Sequence, residues 1–113
     1  MPLLLVVRKP YFLEFLRGEK TIEYRRYGPR WCESIWRVGR EIGISMTYDG
    51  RYGQLPATVT KTEAPPFSAH PEMLDFYEGS KPTDKLFLIH VDIPWERVDL
   101  SQFQRLLEPR LAL

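Results

Sequence analysis

The sequence predicts a small α+β fold, a mixed β-barrel of about five strands flanked by short helices. Three observations lead to this prediction. The 113 residues are 43% hydrophobic, which is enough apolar mass for one core in one compact domain. Apolar residues recur at helical spacing in some segments and alternate with polar residues in others. The segments follow the order strand, helix, strand, loop, strand, strand, helix, strand and C-terminal helix, which suits a curled sheet with helices set beside it.

The first two elements are short. Residues 3–7 form an uninterrupted apolar run, which predicts a buried strand. The next segment predicts an amphipathic helix, because Pro10 suits a first helical turn and Gly18 suits the position after the last turn. Its apolar face is formed by residues at helical spacing, namely Tyr11, Phe12, Phe15 and Leu16.

The segment KTIEYRR, residues 20–26, alternates with the period of a strand. Ile22 and Tyr24 project to one side, where they can pack on a core. The opposite side is entirely polar and consists of Thr21, Glu23 and Arg25. Two apolar side chains already suffice for an ordinary strand, so the polar side is either a solvated face or a ligand site.

The middle of the chain predicts a loop and a hairpin. Residues 27–40 contain Gly28-Pro29 and two tryptophans, which indicates a long, partly packed loop. Two strands are expected at residues 41–48 and 54–62. They are joined at Asp49-Gly50, a pair typical of tight hairpins.

The second half predicts a helix, a strand and a helical tail. Residues 71–78 suit a short helix that begins at a proline. Residues 85–93 are largely apolar on both faces of the expected strand, as in an interior strand. Asp99 or Ser101 can cap a C-terminal helix whose apolar residues are Leu100, Phe103, Leu106 and Leu107. We expect residues 1–95 to form the domain and residues 96–113 a tail packed on it.

Composition excludes several classes of protein. The longest apolar run near the N-terminus is too short to span a bilayer, and no basic segment precedes it as in a secretory signal. Cys32 is the single cysteine, so no internal disulfide can form, and a reducing cytoplasm is the expected location. We expect no structural metal and no cofactor.

The charge of the chain is unevenly distributed. Residues 8–40 contain nine Lys/Arg and four Asp/Glu, whereas residues 63–113 contain five Lys/Arg and nine Asp/Glu. A pI near 7.9 argues against a protein that coats nucleic acid nonspecifically. The pattern favours a localised anion site around residues 20–26.

Several motifs together resemble the ASCH domain family of the PUA-like superfamily. They are the pair Lys9-Pro10, the helix ending in LRGEKTIEYRR, then VGREIGI at residues 38–44 and ATVTKTE at residues 57–63. The likeness covers residues 4–93. It implies a PUA-like barrel with a ligand cleft lined by the strand at residues 20–26, and it implies RNA or a nucleotide-like molecule as the partner.

The residue chemistry agrees with a binding site. Lys9, Lys20 and Arg25 would contact phosphate, Glu23 would orient them, and Thr21 would add a hydroxyl bond. Aromatic rings beside arginines can stack on bases, and Tyr27 and Trp31 are the candidates for this role. The alternative is a surface pair of Glu23 and Arg25 with no ligand.

A second hypothesis is a small hydrolase that acts on an acylated nucleoside, or a metal-independent ribonuclease. Hydrolase-like members of the resembling family use a lysine at the place of Lys20 as the proton-transfer residue, so Lys20 and Glu23 would be catalytic here. Those members have a threonine where this chain has Glu23, which favours binding. Those members also use a glutamate from a later helical region, and Glu72 is the loosest match to it in this chain. A third hypothesis is a protein partner that docks on the C-terminal helix.

The remaining reactive residues have structural interpretations. His90 lies inside an apolar strand and predicts a hydrogen-bonded core histidine. His70 lies in a loop beside a proline and has no evident Cys, Ser or Asp partner in the sequence. Cys32 is interpreted as a packed thiol rather than a nucleophile.

Overall fold

The computed structural model describes residues 3–107. In this part of the chain, five strands form one mixed sheet in the order β1-β3-β4-β5-β2. The strands are β1 Leu3–Val6, β2 Ile22–Arg26, β3 Glu41–Ser45, β4 Leu55–Glu63 and β5 Leu86–Asp92, and the helices are α1 Lys9–Leu16 and α2 Gln104–Leu107. The predicted α+β class, with five strands and short helices, is confirmed. None of the helices in this part is both long and apolar enough to traverse a bilayer.

The described residues fall into two compact units. The first unit comprises residues 3–21, 41–58 and 92–107, and the second comprises residues 22–40 and 59–91. Strand β4 contributes residues to both.

The first unit is built on β1, β3 and the start of β4. β1 pairs with β3 in parallel, with Leu5 opposite Ile44, and β3 pairs with β4 antiparallel. Helix α1 begins at Lys9, as the sequence predicts, and buries Phe12 and Phe15. The ring of Phe103, from the tail, lies 5.5 Å from the ring of Phe12. The tail therefore contributes an aromatic side chain to the core of this unit.

The hairpin and the tail of the first unit differ in detail from the predictions. β3 ends at Ser45, whose hydroxyl donates to the Thr47 carbonyl at 2.8 Å and so starts the turn early. Gly50 has a φ of +67°, but its amide closes a turn on the Thr47 carbonyl at 3.2 Å, so Asp49-Gly50 is not the central pair of a tight hairpin and residues 46–54 connect the two strands. The Asp99 side chain caps the tail by accepting from the Ser101 amide at 3.0 Å. Of the predicted tail, residues 108–113 lie outside the described residues.

The second unit is built on the antiparallel pair β2 and β5. Tyr24 lies opposite Leu88, and Ile22 lies opposite His90. Both faces of β5 are largely buried, which confirms its prediction as an interior strand. A core cluster on one face of the pair consists of Phe67, Leu86 and Leu88, with Ile22, Tyr24, Met73, Leu74 and Tyr77 packed against it.

The predicted helix at residues 71–78 is not formed. The structure has two 3-10 helices instead, Phe67–Ala69 and Pro71–Met73, followed by turns. Successive bonds span three residues, for example from the Leu74 amide to the Pro71 carbonyl at 3.1 Å. So short a segment gains little from helix propagation. Its conformation is set instead by the packing of Met73, Leu74 and Tyr77 on the core cluster.

Candidate functional site

The polar face of β2 is more buried than its composition suggests. Successive side chains alternate between faces, so Glu23 and Arg25 share a face with Ile89 and Phe87, the residues opposite them on β5. Glu23 is only 6% exposed, and Ile89 is fully buried. On the polar side, Glu23 is therefore buried, whereas Thr21 at its start is exposed.

Glu23 and Arg25 form a partly buried ion pair along the strand. The guanidinium donates from Nε and Nη2 to the same carboxylate oxygen, Glu23 Oε2, at 2.9 and 2.7 Å. The two side chains are 8% and 24% exposed. Charge-assisted bonds of this length are strong, and they fix the plane of the guanidinium.

The Arg25 guanidinium also lies on an aromatic ring. Its Cζ atom is 4.3 Å from the centroid of Trp31. Trp31 in turn stacks on Trp36, with ring centroids 5.1 Å apart and planes 5° from parallel. Trp36 is 3% exposed, and its indole nitrogen donates to the Arg30 carbonyl at 3.0 Å. We call Glu23, Arg25, Trp31 and Trp36 the Arg25 cluster.

Tyr27 lies on the chain between the strand and the two tryptophans. Its hydroxyl donates to the Glu33 carboxylate, and this hydrogen bond raises the pKa of the Tyr27 hydroxyl above its usual value. The Tyr27 ring meets Phe87 edge to face at 5.8 Å, and Lys85 Nζ lies 5.6 Å from its centroid. The ring of this predicted stacking residue is thus held in place by neighbours of the second unit.

The open edge of β2 is covered within the same unit. The Tyr77 hydroxyl donates to the Tyr24 carbonyl at 2.6 Å, and Arg26 Nη2 donates to the Glu78 carbonyl at 2.9 Å and the Ser80 hydroxyl at 2.7 Å. The first bond occupies a carbonyl that an edge strand would otherwise offer to another chain, and the Arg26 bonds tie the strand to residues 78–80. They give Arg26 a structural role.

The other predicted site residues, Lys9, Lys20 and Thr21, belong to the first unit. Lys9 is exposed at the start of α1. Lys20 is half-buried, and its Nζ lies 5.5 Å from the Tyr11 centroid and 5.4 Å from the Phe15 centroid. These distances are typical of cation–π contacts. Thr21 is exposed.

The structure pairs His90 with an acid that the sequence did not indicate. His90 Nε2 lies 2.7 Å from Glu63 Oε2, and this bond lowers the pKa of the Glu63 carboxyl. The two residues are 27 positions apart, and only the pairing of their strands brings them together. The prediction of a hydrogen-bonded His90 is confirmed, although the side chain is 24% exposed rather than fully buried.

Among residues 3–107, the other reactive side chains form only isolated pairs. His70 Nδ1 lies 3.5 Å from Glu72, the residue that matches the later acid of the hydrolase-like family members most loosely. The His70 ring packs on Tyr24. The Cys32 thiol is 3.1 Å from the Ser34 hydroxyl. In residues 3–107, no three His, Cys, Asp or Glu side chains are arranged to hold a metal ion. The Arg25 cluster is the strongest candidate site on geometry.

Comparisons with protein family models, curated proteins and solved structures gave no match to the chain. The likeness to the ASCH domain therefore depends only on the residues quoted above and stays a prediction.

Proposed function

We propose that the chain binds RNA or a nucleotide-like ligand, and that the Arg25 cluster contacts it. The observation that supports this proposal is the double restraint on one guanidinium, by the Glu23 carboxylate at 2.7 Å and by the Trp31 ring at 4.3 Å. A guanidinium is a planar fork that matches phosphate oxygens and the acceptor edge of a guanine.

Restraint before binding lowers the entropic cost of binding. An arginine side chain loses rotamer freedom when it is immobilised on a ligand, at a cost of about 1 kcal/mol. The pairing with Glu23 and the contact with Trp31 immobilise Arg25 in the free protein, while its side chain is still 24% exposed. Arg25 is therefore oriented before any ligand arrives.

The surroundings add charge and aromatic surface. Residues 22–40 contain five arginines and two acids. Trp31 and Tyr27 are both half-buried, and Trp31 already contacts both the Arg25 guanidinium and Trp36, so the guanidinium plane is the surface that a base would meet first. Bases stack on aromatic rings and on guanidinium planes with little regard to sequence. Lys9, Lys20 and Thr21 keep the phosphate and hydroxyl contacts predicted from the sequence.

The test is a binding measurement with a matched control in the same chain. Fluorescein-labelled 12-nucleotide RNAs of uridine or cytidine, together with cytidine monophosphate as competitor, would be titrated with wild type and Arg25→Lys. We expect a loss of affinity of about tenfold, because lysine lacks the planar fork. Arg51→Lys changes an arginine that also pairs with an acid two residues earlier, and it should leave affinity unchanged.

The same samples distinguish binding from catalysis. RNA and an acylated cytidine would be incubated with wild type and with Lys20→Ala, and products would be separated by chromatography. Retention without any product supports a binding protein. Turnover that disappears in Lys20→Ala, with ligand retention unchanged, would establish the hydrolase or ribonuclease instead. Failure of wild type to retain any of these probes would overturn the proposal.

A further inference from the structure

The loop after β2 is a fixed turn built around its two tryptophans. We call residues 28–37 the tryptophan turn. Gly28 and Trp31 exchange both backbone hydrogen bonds, at 3.2 and 3.1 Å, and the Trp36 amide donates to the Cys32 carbonyl at 3.1 Å. The indole nitrogen of Trp36 donates to the carbonyl of Arg30. The backbone on both sides of Arg30 is therefore held in one conformation.

The turn presents two arginines with no partner in the described part of the chain. Arg30 and Arg37 are exposed, and within residues 3–107 neither side chain makes a hydrogen bond or an ion pair. Neighbouring arginines are engaged. Arg26 donates to the Glu78 carbonyl and the Ser80 hydroxyl, and Arg40 Nη1 donates to the Ile35 carbonyl at 2.8 Å. Arg30 and Arg37 can thus contact an external anion without breaking a hydrogen bond or ion pair to any residue between 3 and 107.

The charge of the second unit is divided along the chain. Its first segment, residues 22–40, has five basic and two acidic side chains. Its second segment, residues 59–91, has three basic and five acidic side chains. One acid of the first segment, Glu23, pairs with Arg25, and the other, Glu33, accepts from Tyr27. Neither acid forms an ion pair with the two arginines of the turn.

We infer that the tryptophan turn contacts the phosphate backbone of single-stranded RNA, with Arg30 and Arg37 each neutralising one phosphate. This inference builds on the proposed function and narrows its ligand from a nucleotide to a strand. Arg30 precedes Trp31 directly, so a phosphate contact adjoins the Arg25 cluster. Single-stranded RNA fits better than a duplex, because its bases are free to stack on aromatic and guanidinium planes.

Salt dependence tests the inference, because each neutralised phosphate of a single strand releases counterions. Binding of the 12-nucleotide RNAs would be measured between 50 and 300 mM salt for wild type and Arg30→Gln/Arg37→Gln. The double variant should lower the slope of log affinity against log salt by about 1.4, and affinity at 0.1 M salt by about 25-fold. Lys81→Gln is the matched control, because Lys81 is an exposed cation in the acidic segment of the same unit. Lys81→Gln should leave the slope of log affinity against log salt unchanged.

Two further probes make each outcome decisive. Cytidine monophosphate should bind wild type and the double variant equally, because the turn adds backbone contacts only. If the double variant binds RNA with an unchanged salt slope, the inference is overturned and the proposed function stands. The same conclusion follows if wild type binds cytidine monophosphate but does not bind the RNAs. Tighter binding of polyglutamate than of RNA would assign the turn to an acidic protein and overturn the inference. If wild type binds neither RNA nor mononucleotide, both proposals fail.

Discussion

Two regions of the molecule contain the same three chemical groups in different surroundings. In β2 and the following loop, Glu23 pairs with Arg25, which lies on Trp31. In the β3–β4 turn, Asp49 pairs with Arg51 at 3.0 Å, and the Arg51 guanidinium lies 5.9 Å from the Tyr52 centroid. The arginine follows the acid by two residues in both cases. The side chains are 8% and 24% exposed in β2 but 54% and 64% exposed in the turn.

The difference shows that burial, not composition, makes such a group of residues a candidate site. Asp49 serves the turn itself, because it accepts from the Thr47 hydroxyl at 2.7 Å and from the Arg51 amide at 3.1 Å. Water competes for every charge in that turn, so the ion pair adds little. Glu23 lies beside the buried Ile89 and Phe87, where an unpaired carboxylate would be costly.

The largest effect is expected from breaking the buried pair. Arg25→Met leaves the Glu23 carboxylate on a buried face without its guanidinium, and we expect the free energy of unfolding to fall by about 3 kcal/mol. Arg51→Met should cause no measurable change. Urea denaturation followed by circular dichroism measures both. Equal losses in the two variants would mean that β2 and the turn hold their pairs in equivalent surroundings.

A smaller effect is expected from the aromatic ring under each arginine. Trp31→Leu removes the contact with Arg25 and the stacking on Trp36, together worth about 1 to 2 kcal/mol of unfolding free energy. Tyr52→Leu is the corresponding change in the turn. Because Tyr52 is 56% exposed and farther from its arginine, we expect no measurable loss there. A Trp31→Leu protein as stable as wild type would contradict the role of this ring in fixing Arg25.

The smallest effect is expected from the acid of the turn, and it depends on pH. The Thr47 hydroxyl bond, more than any other contact, holds the pKa of Asp49 below its ordinary value of 3.8. A lowered carboxyl pKa stabilises the fold above that ordinary value, and the stabilisation disappears as pH falls through the folded-state pKa. The small advantage of wild type over Asp49→Asn should therefore vanish in acid.

NMR titration of the Asp49 carboxyl provides the direct measurement. The pKa should lie below 3.8 in wild type and should rise towards that value in Thr47→Val, which lacks the hydroxyl donor. An Asp49 pKa that is unaffected by Thr47→Val would show that the other contacts of the turn, chiefly the Arg51 amide, lower it.

Much of the fold could be predicted from periodicity and from the residues that end each element. Helix α1, strand β2 and the Asp99 cap are observed, and β3 pairs with β4 antiparallel as expected, although residues 46–54 connect them in place of a tight turn at Asp49-Gly50. These features depend on local backbone preferences, which a single sequence displays directly. The helix predicted at residues 71–78 was wrong, because contacts with a core distant in sequence decide the conformation of that short segment.

The candidate site was predictable as a list of residues but not as an arrangement. The alternation in KTIEYRR placed Glu23 and Arg25 on one side of a strand, and the neighbouring tryptophans were evident. Nothing in the sequence shows that Trp31 lies under Arg25 or that Trp36 lies against Trp31, because loop conformation depends on packing. The partner of His90 was missed for the same reason, since strand pairing brings Glu63 to it.

The sequence by itself determined that residues 22–26 form a strand and which of their side chains share a face, because strand periodicity is a property of the backbone. Only the tertiary structure decided that Glu23, on the polar face, is the most buried residue of the strand. It did so by placing β5 beside β2, so that Glu23 adjoins Ile89 and Arg25 adjoins Phe87. A carboxylate in that position requires a cationic partner, and this requirement fixes the orientation of Arg25.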